Sequence, residues 1–233
     1  MNNSNPRFNI YGPIHKALRA MMADALVQLG RTDWQDPVDR GQATAVISQL
    51  LDFCVAHLEH ENDFVHAAME ARRPGSAADG YAEHRMHVNA IRDLREQVTA
   101  LSELAPADCI RVGEALYRSL AAFVGENYEH MHFEETHNNS VLWAHYTDEE
   151  IVAIEHAIIA SIEPHENAIV MRWMLPHVSP QERAVMLSGM RQNAPAEVFH
   201  GVLGMLRVHL TPRDWNKLSE ALGFGEPALA AAA

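Results

Sequence analysis

Four stretches of this chain repeat apolar residues at alternating steps of three and four, and each series carries histidine, or histidine with glutamate, where leucine would be expected. The first runs Tyr11, His15, Leu18, Met22, Ala25, Leu29, and the second Ile47, Leu50, Cys54, His57, Glu61, Phe64, Ala68. The third is His84, His87, Ile91, Leu94, Val98, Leu101; the fourth is Leu116, Leu120, Phe123, Asn127, His130, Glu134, His137, Val141. This alternation is the period of helices that bury one stripe and cross at shallow angles. Polar groups on such a stripe cost kilocalories unless something satisfies them. The pattern therefore asks for a bundle and for a buried partner at its polar positions.

Turn signals bound the helices. Pro13 opens the first and Gly30 closes it, and the second is expected over 38–72, ending at Arg72-Arg73-Pro74-Gly75. The third follows the Gly75–Gly80 turn, and the fourth follows Ala105-Pro106-Ala107-Asp108. The expected fold is all-α, an up-down-up-down four-helix bundle over 10–146 with an additional C-terminal helical annex over 147–225. In the annex, Thr147 through Glu150 reads as a capping box, and shorter helices are expected after Ser161, Ser179-Pro180 and Thr211-Pro212. Residues 226–233, with the run from Pro227 to Ala233, are expected to be a disordered tail.

A helix advances about 1.5 Å and roughly 100° per residue, so residues four apart share a face about 6 Å apart. His57–Glu61 and His130–Glu134 are such pairs, each preceded by a lone helical histidine, His15 or His84. In an up-down-up-down bundle the starts of the first and third helices lie beside the ends of the second and fourth. All six residues then converge at one end. Four imidazoles and two carboxylates there make a candidate dinuclear metal site: His15, His57, Glu61, His84, His130 and Glu134.

The neighbours are sorted by phase. His66 and Glu70 form a third pair of this spacing, but both miss the Phe64/Ala68 stripe and are assigned to the surface. His84 is preferred to His87 because Ile91 and Leu94 follow it at the offsets expected below a ligand turn; His87 is the reserve. His60, His132 and Glu135 fall off-phase, as outer partners or solvated residues. His137 and Asn127 lie on-phase, either as outer partners or as satisfied core polarity. Tyr11 and Tyr128 are candidates for hydrogen bonds into the site, and Cys54 reads as a small buried hydrophobe.

Two nitrogens and two oxygens per metal would nearly close a tetrahedral zinc, whereas octahedral iron keeps exchangeable positions. Two Fe ions, oxo- or hydroxo-bridged, are therefore expected, with zinc less suited. A net charge of −13 and a pI near 5.5, with no Lys/Arg stripe, argue against nucleic acid. No apolar run is long enough for a bilayer, so no membrane partner is expected. Two cysteines and no basic, apolar leader point to a cytoplasmic protein. Gly223-Phe224-Gly225 has no strand before it and is no nucleotide loop. No Ser–His–Asp constellation has supporting context.

The motifs His15-Lys-Ala-Leu, His57-Leu-Glu-His-Glu61, Glu83-His84-Arg-Met-His-Val-Asn-Ala-Ile and His130-Met-His-Phe-Glu134-Glu135 resemble the hemerythrin, or HHE cation-binding, family over about residues 10–145. The resemblance implies a four-helix bundle around a non-haem di-iron centre. His15, His57, His84 and His130 would be terminal ligands, with Glu61 and Glu134 as bridging carboxylates. Oxygen-carrying members have a fifth histidine and an aspartate bridge on the last helix. Here that helix supplies Glu134, and His87 is the candidate for a fifth imidazole. The set is similar to that of hemerythrin-like branches tied to iron or oxygen sensing, nitric oxide and peroxide chemistry. The segment from Leu142-Trp143 through Trp173-Met-Leu-Pro176 and Glu182-Arg183 looks like an extension found on bacterial members.

Three functions are compatible with these residues. One is binding O₂ or NO in sensing or iron and redox homeostasis. The others are a di-iron enzyme acting on peroxide, NO or Fe(II), and a structural metal-binding interaction module. The expected partners are a small diatomic or peroxide ligand and, through the C-terminal helices, a second copy as a homodimer.

Overall fold

The computed structural model describes residues 7–224; the expected tail at 226–233 lies outside them. Helix α1 (Gly12–Gly30) leads through a six-residue link to α2. Helix α2 is α-helical over Pro37–His60, π-helical over Glu61–His66 and α-helical again over Ala67–Arg72. Helix α3 spans Ala78–Glu103. Helix α4 repeats the construction of α2, with Pro106–Phe133, a π segment at Glu134–Asn138 and Asn139–His145. Pro13, Pro37 and Pro106 each stand in a first turn, where a missing N–H costs nothing. Asp36 completes the start of α2 by accepting from the Val38 amide at 2.7 Å. Links this short leave successive helices only an antiparallel arrangement, so the architecture is an all-α bundle with extra C-terminal helices.

The stripes of α1 and α3 are buried as the spacing predicts, Val98 alone being only half-buried. In α2 and α4 the stripe holds as far as Glu61 and Glu134, then slips by one residue, Val141 alone of the later expected positions being buried, beside Leu142. Val65, His66 and Met69 are buried where Phe64 and Ala68 were expected, and Asn138 is buried where His137 was expected. Phe64 and Ala68 are half-buried and His137 is exposed. The π segments are the cause. Each closes hydrogen bonds one residue wider than an α-helix, which advances the following face by about one residue, or roughly 100°. His66 is thereby fully buried, contrary to the surface position that α-helical phase gives it.

Beyond α4, helix α5 (Asp148–Ser161) begins with the expected capping box, Thr147 and Glu150 exchanging side-chain and backbone bonds. Its Ile151 packs with Tyr11, Val65, Met69, Val141 and Leu142. Arg72 binds the Glu150 carboxylate at 2.5 and 2.9 Å and the His145 carbonyl at 2.6 Å. Arg7 binds Asp148 and the carbonyls of Trp143 and Tyr146. Residues 7–15 and 19–162, α5 among them, cluster as one compact unit and residues 16–18 with 163–224 as a second, so the helix that the sequence pattern places in the annex groups with the bundle.

The second unit holds α6 (Pro164–His177), α7 (Pro180–Asn193), α8 (Ala196–His209) and α9 (Pro212–Ala221) around Leu175, Leu187, Phe199, Leu206, Leu218 and Leu222. Ser179 and Thr211 cap α7 and α9. Pro195 precedes α8 with no side-chain cap, so that helix carries no capping signature in the sequence. The buried Arg183 guanidinium donates to the carbonyls of Leu175, Pro176 and Val178, tying the α6–α7 corner.

Arg72, and then the Thr147 amide, hold the Glu150 carboxyl at about 2, down from its ordinary 4.5. A depressed carboxyl stabilises the fold fully above its unfolded value, and that contribution is lost as pH falls from 4.5 towards 2. Glu150→Gln should therefore lower the melting temperature at pH 7, and the difference from wild type should shrink as melts are repeated down to pH 2. A difference that is constant with pH would contradict this anchoring of α5.

Candidate metal centre

The fold brings all six predicted residues together. His15, His57, Glu61 and Glu134 form one group and Glu61, His84, His130 and Glu134 a second, each with one ligand-type atom per residue and all within 4.8 Å of one another. Both carboxylates belong to both groups. The His57 Nε2 lies 3.2 Å from Glu61, and the His130 Nε2 lies 3.3 Å from Glu134, across the predicted four-residue steps. His15 Nε2 is 3.5 Å from each carboxylate, and so is His84 Nε2. All six side chains are buried, none more than 9 % exposed.

The outward nitrogens decide what the inward ones can do. His84 Nδ1 sits 2.8 Å from Asn62 Oδ1, His130 Nδ1 2.7 Å from Glu83, and His15 Nδ1 3.1 Å from Glu135, which also receives Arg19 at 2.6 Å. An amide or carboxylate oxygen only accepts, so these three rings carry their proton on Nδ1 and turn a lone pair on Nε2 inward. The Nε2 atoms of His84 and His130 then face each other at 3.1 Å with no proton between them. The Nε2 atoms of His15 and His57 and all four carboxylate oxygens of Glu61 and Glu134 make no hydrogen bond. Lone pairs and carboxylates facing one another in a dry core repel; cations satisfy them and no neighbouring side chain does. The donor set therefore fits a metal pair, and three of the imidazoles already have the outer partner that fixes ligating histidines.

Burial, then the Glu134 charge, push the Glu61 carboxyl well above its ordinary range. A bound cation would displace a proton from Glu61.

Two outer partners, Asn62 and Glu83, have no signature in the sequence. Glu83 stands next to His84 in the chain, yet it serves His130 across the bundle, which spacing within one helix cannot reveal. Asn62 lies in the π segment of α2, where α-helical phase no longer applies. Glu135 is an outer partner, one of its two expected roles. His87 is buried, its ring 4.7 Å from that of His130, but it belongs to neither ligand group and its Nδ1 has no partner. Asn127 donates to the Phe123 carbonyl of its own helix and is satisfied core polarity. Tyr11 lies over His15 with rings 5.2 Å apart, and its buried hydroxyl stands near Asn138 without a hydrogen bond of good geometry. Tyr128 instead donates to the Arg19 carbonyl at the surface. Cys54 is buried, and burial pushes its thiol up to about 12, so it is inert packing.

In comparison with known families, the description "Hemerythrin HHE cation binding domain" fits residues 13–142, more than half of the chain. The chain belongs to the hemerythrin HHE cation-binding family. It is a metal-binding, hemerythrin-like protein whose buried His/Glu cluster lies inside the matched region. No curated protein and no solved structure gives a significant match to it. No helix among the described residues is long and apolar enough to cross a membrane.

Removing the partner of a ligating imidazole typically costs about ten- to a hundredfold in metal affinity. Glu83→Ala should weaken metal binding by about that factor in a competition titration against a chelator. An unchanged affinity would mean that the His130 Nδ1 contact does not serve a ligand.

Proposed function

We propose that the cluster holds two iron ions, His15 and His57 serving one, His84 and His130 the other, with Glu61 and Glu134 shared, and that this centre binds O₂ or NO as a sensor or in iron and redox homeostasis. The observation that carries this reading is the set of inward lone pairs and unpaired carboxylate oxygens, a donor set with imidazole and hard oxygen in the proportion iron accepts. Ferrous ions held side by side supply the electrons that small diatomic ligands take up. The protein's contribution is orientation and exclusion of water. Asn62, Glu83 and Glu135 hold the rings in place, and the apolar stripes of the helices close the core beneath them. A surface depression lined by Asn62, Tyr81, His84, Arg85, Val88 and Asn89 lies beside the His84 ring between α2 and α3.

A di-iron enzyme acting on peroxide, NO or Fe(II) is the second reading, favoured by Tyr11. Burial, then the charges of Glu134 and Glu61, push its hydroxyl well above the usual phenol range, so it keeps its proton at neutral pH. That unpartnered O–H is able to give a hydrogen bond or a proton into the site.

Anaerobic loading with Fe(II), with O₂ or NO then admitted to a sealed cuvette, separates these readings. A binding or sensing centre gives a saturable change in the visible spectrum with each gas and no sustained consumption of peroxide. Turnover of H₂O₂, NO or Fe(II) above that of free iron would select the enzyme. A loaded protein whose spectrum responds to neither gas would exclude the binding reading.

A further inference from the structure

The two halves of the centre are built on one plan, and two of the places where they differ bear on the ligands. Each half has a lone ligand histidine on one helix and a His-x-x-x-Glu pair opening a π segment on the next, first in α1/α2 and then in α3/α4. Four residues before the lone histidine stands Tyr11 in the first half and Gly80 in the second. Five residues after the glutamate stands His66 in the first half and Asn139 in the second. The Asn139 amide nitrogen is held by structure, donating to the Asn9 side chain and the Glu135 carbonyl, and its unpartnered Oδ1 is no imidazole. No bond holds the inward nitrogen of His66.

His66 is fully buried. Its Nδ1 lies 3.2 Å from Asn62 Oδ1, the same oxygen that receives His84 Nδ1 at 2.8 Å. One amide oxygen thus fixes two imidazoles in the same tautomer, Nδ1–H outward and a bare Nε2 inward. The two rings are stacked, with centroids 4.7 Å apart at 25°. His66 Nε2 makes no hydrogen bond and lies 3.9 Å from the Glu134 Oε1 that also faces His84. Gly80 makes the room: a Cβ there would come 2.7 Å from the His66 Cε1 and 2.8 Å from its Nε2. The edge of the Tyr81 ring, 4.8 Å away, closes the other side.

From these contacts we infer that His66 is a fifth imidazole of the centre, delivered by the π segment of α2 to the ion held by His84 and His130. This inference rests on the two-metal reading above. A π turn, an amide anchor and a side-chain-free position on α3 all converge on a lone pair that no other group among the described residues satisfies. The consequence is an unequal pair. The His84/His130 side gains a third nitrogen, while the His15/His57 side has the Tyr11 phenol in its neighbourhood and keeps two.

Iron titration and Mössbauer spectra of the full-length protein test this with wild type, His66→Gln and Gly80→Ala. Wild type should take up two irons and show two inequivalent doublets. His66→Gln should bind one of the two at least about tenfold more weakly and alter one doublet while leaving the other in place. Gly80→Ala, whose methyl displaces the ring while favouring the helix, should reproduce that selective loss. Circular dichroism of the iron-free variants separates a lost ligand from a lost fold. Two irons in wild type, with titrations and doublets that His66→Gln and Gly80→Ala leave unchanged, would overturn the role of His66 alone. Fewer than two irons in wild type would overturn the two-metal reading and this inference with it.

Discussion

Two carboxylates and the imidazole lone pairs that face them lie in a core from which the bundle excludes water, and much else in the structure answers to that burial. Each ionised carboxylate taken from water costs several kilocalories per mole unless it is paired and hydrogen-bonded. Glu61 and Glu134 have neither a lysine or arginine against them nor any hydrogen bond. The surrounding protein does the opposite of neutralising them: it protonates the outer nitrogens of three rings and leaves the inner ones bare. An arrangement that is costly without cations and favourable with them is a metal-binding device, and its metal binding and folding free energies are linked.

The helices are shaped around this requirement. A four-residue step on an α-helix puts a histidine above a glutamate, and antiparallel packing through short links brings two such steps to the same level. The π segments begin on those same glutamates. Their wider turns rotate the rest of each helix, so Val65 and Met69 in α2, and Asn138 in α4, face the core in place of Phe64, Ala68 and His137. The residues after the glutamates then become useful. Asn62 and Glu135, one position on, orient His84 and His15, and His66 is carried inside. The same rotation supplies the apolar floor on which Ile151 of α5 rests.

The legible part of the fold is what regular helical phase controls. The stripes of α1 and α3, the Pro13 start, the Thr147 and Ser179 caps and the convergence of His15, His57, Glu61, His84, His130 and Glu134 all follow from spacing. The parts that escape such reading depend on departures from that phase or on contacts between helices. Alpha-helical arithmetic points His66 to the surface, and only the π turn buries it. Glu83 of α3 reaches His130 of the neighbouring α4, and no periodicity within either helix encodes that contact. Helix α8 has no start signal because Pro195 precedes it without a capping side chain. Gly80 looks like a turn residue in the sequence, whereas it lies inside α3 and clears space for a ring from α2.

The most direct test is a crystal structure of the iron-loaded protein with anomalous data collected on either side of the iron absorption edge. A dimetal centre built on these residues predicts two anomalous peaks per chain, both enclosed by His15, His57, Glu61, His84, His130 and Glu134. Peaks confined to surface histidines, or no peak within the bundle, would contradict it.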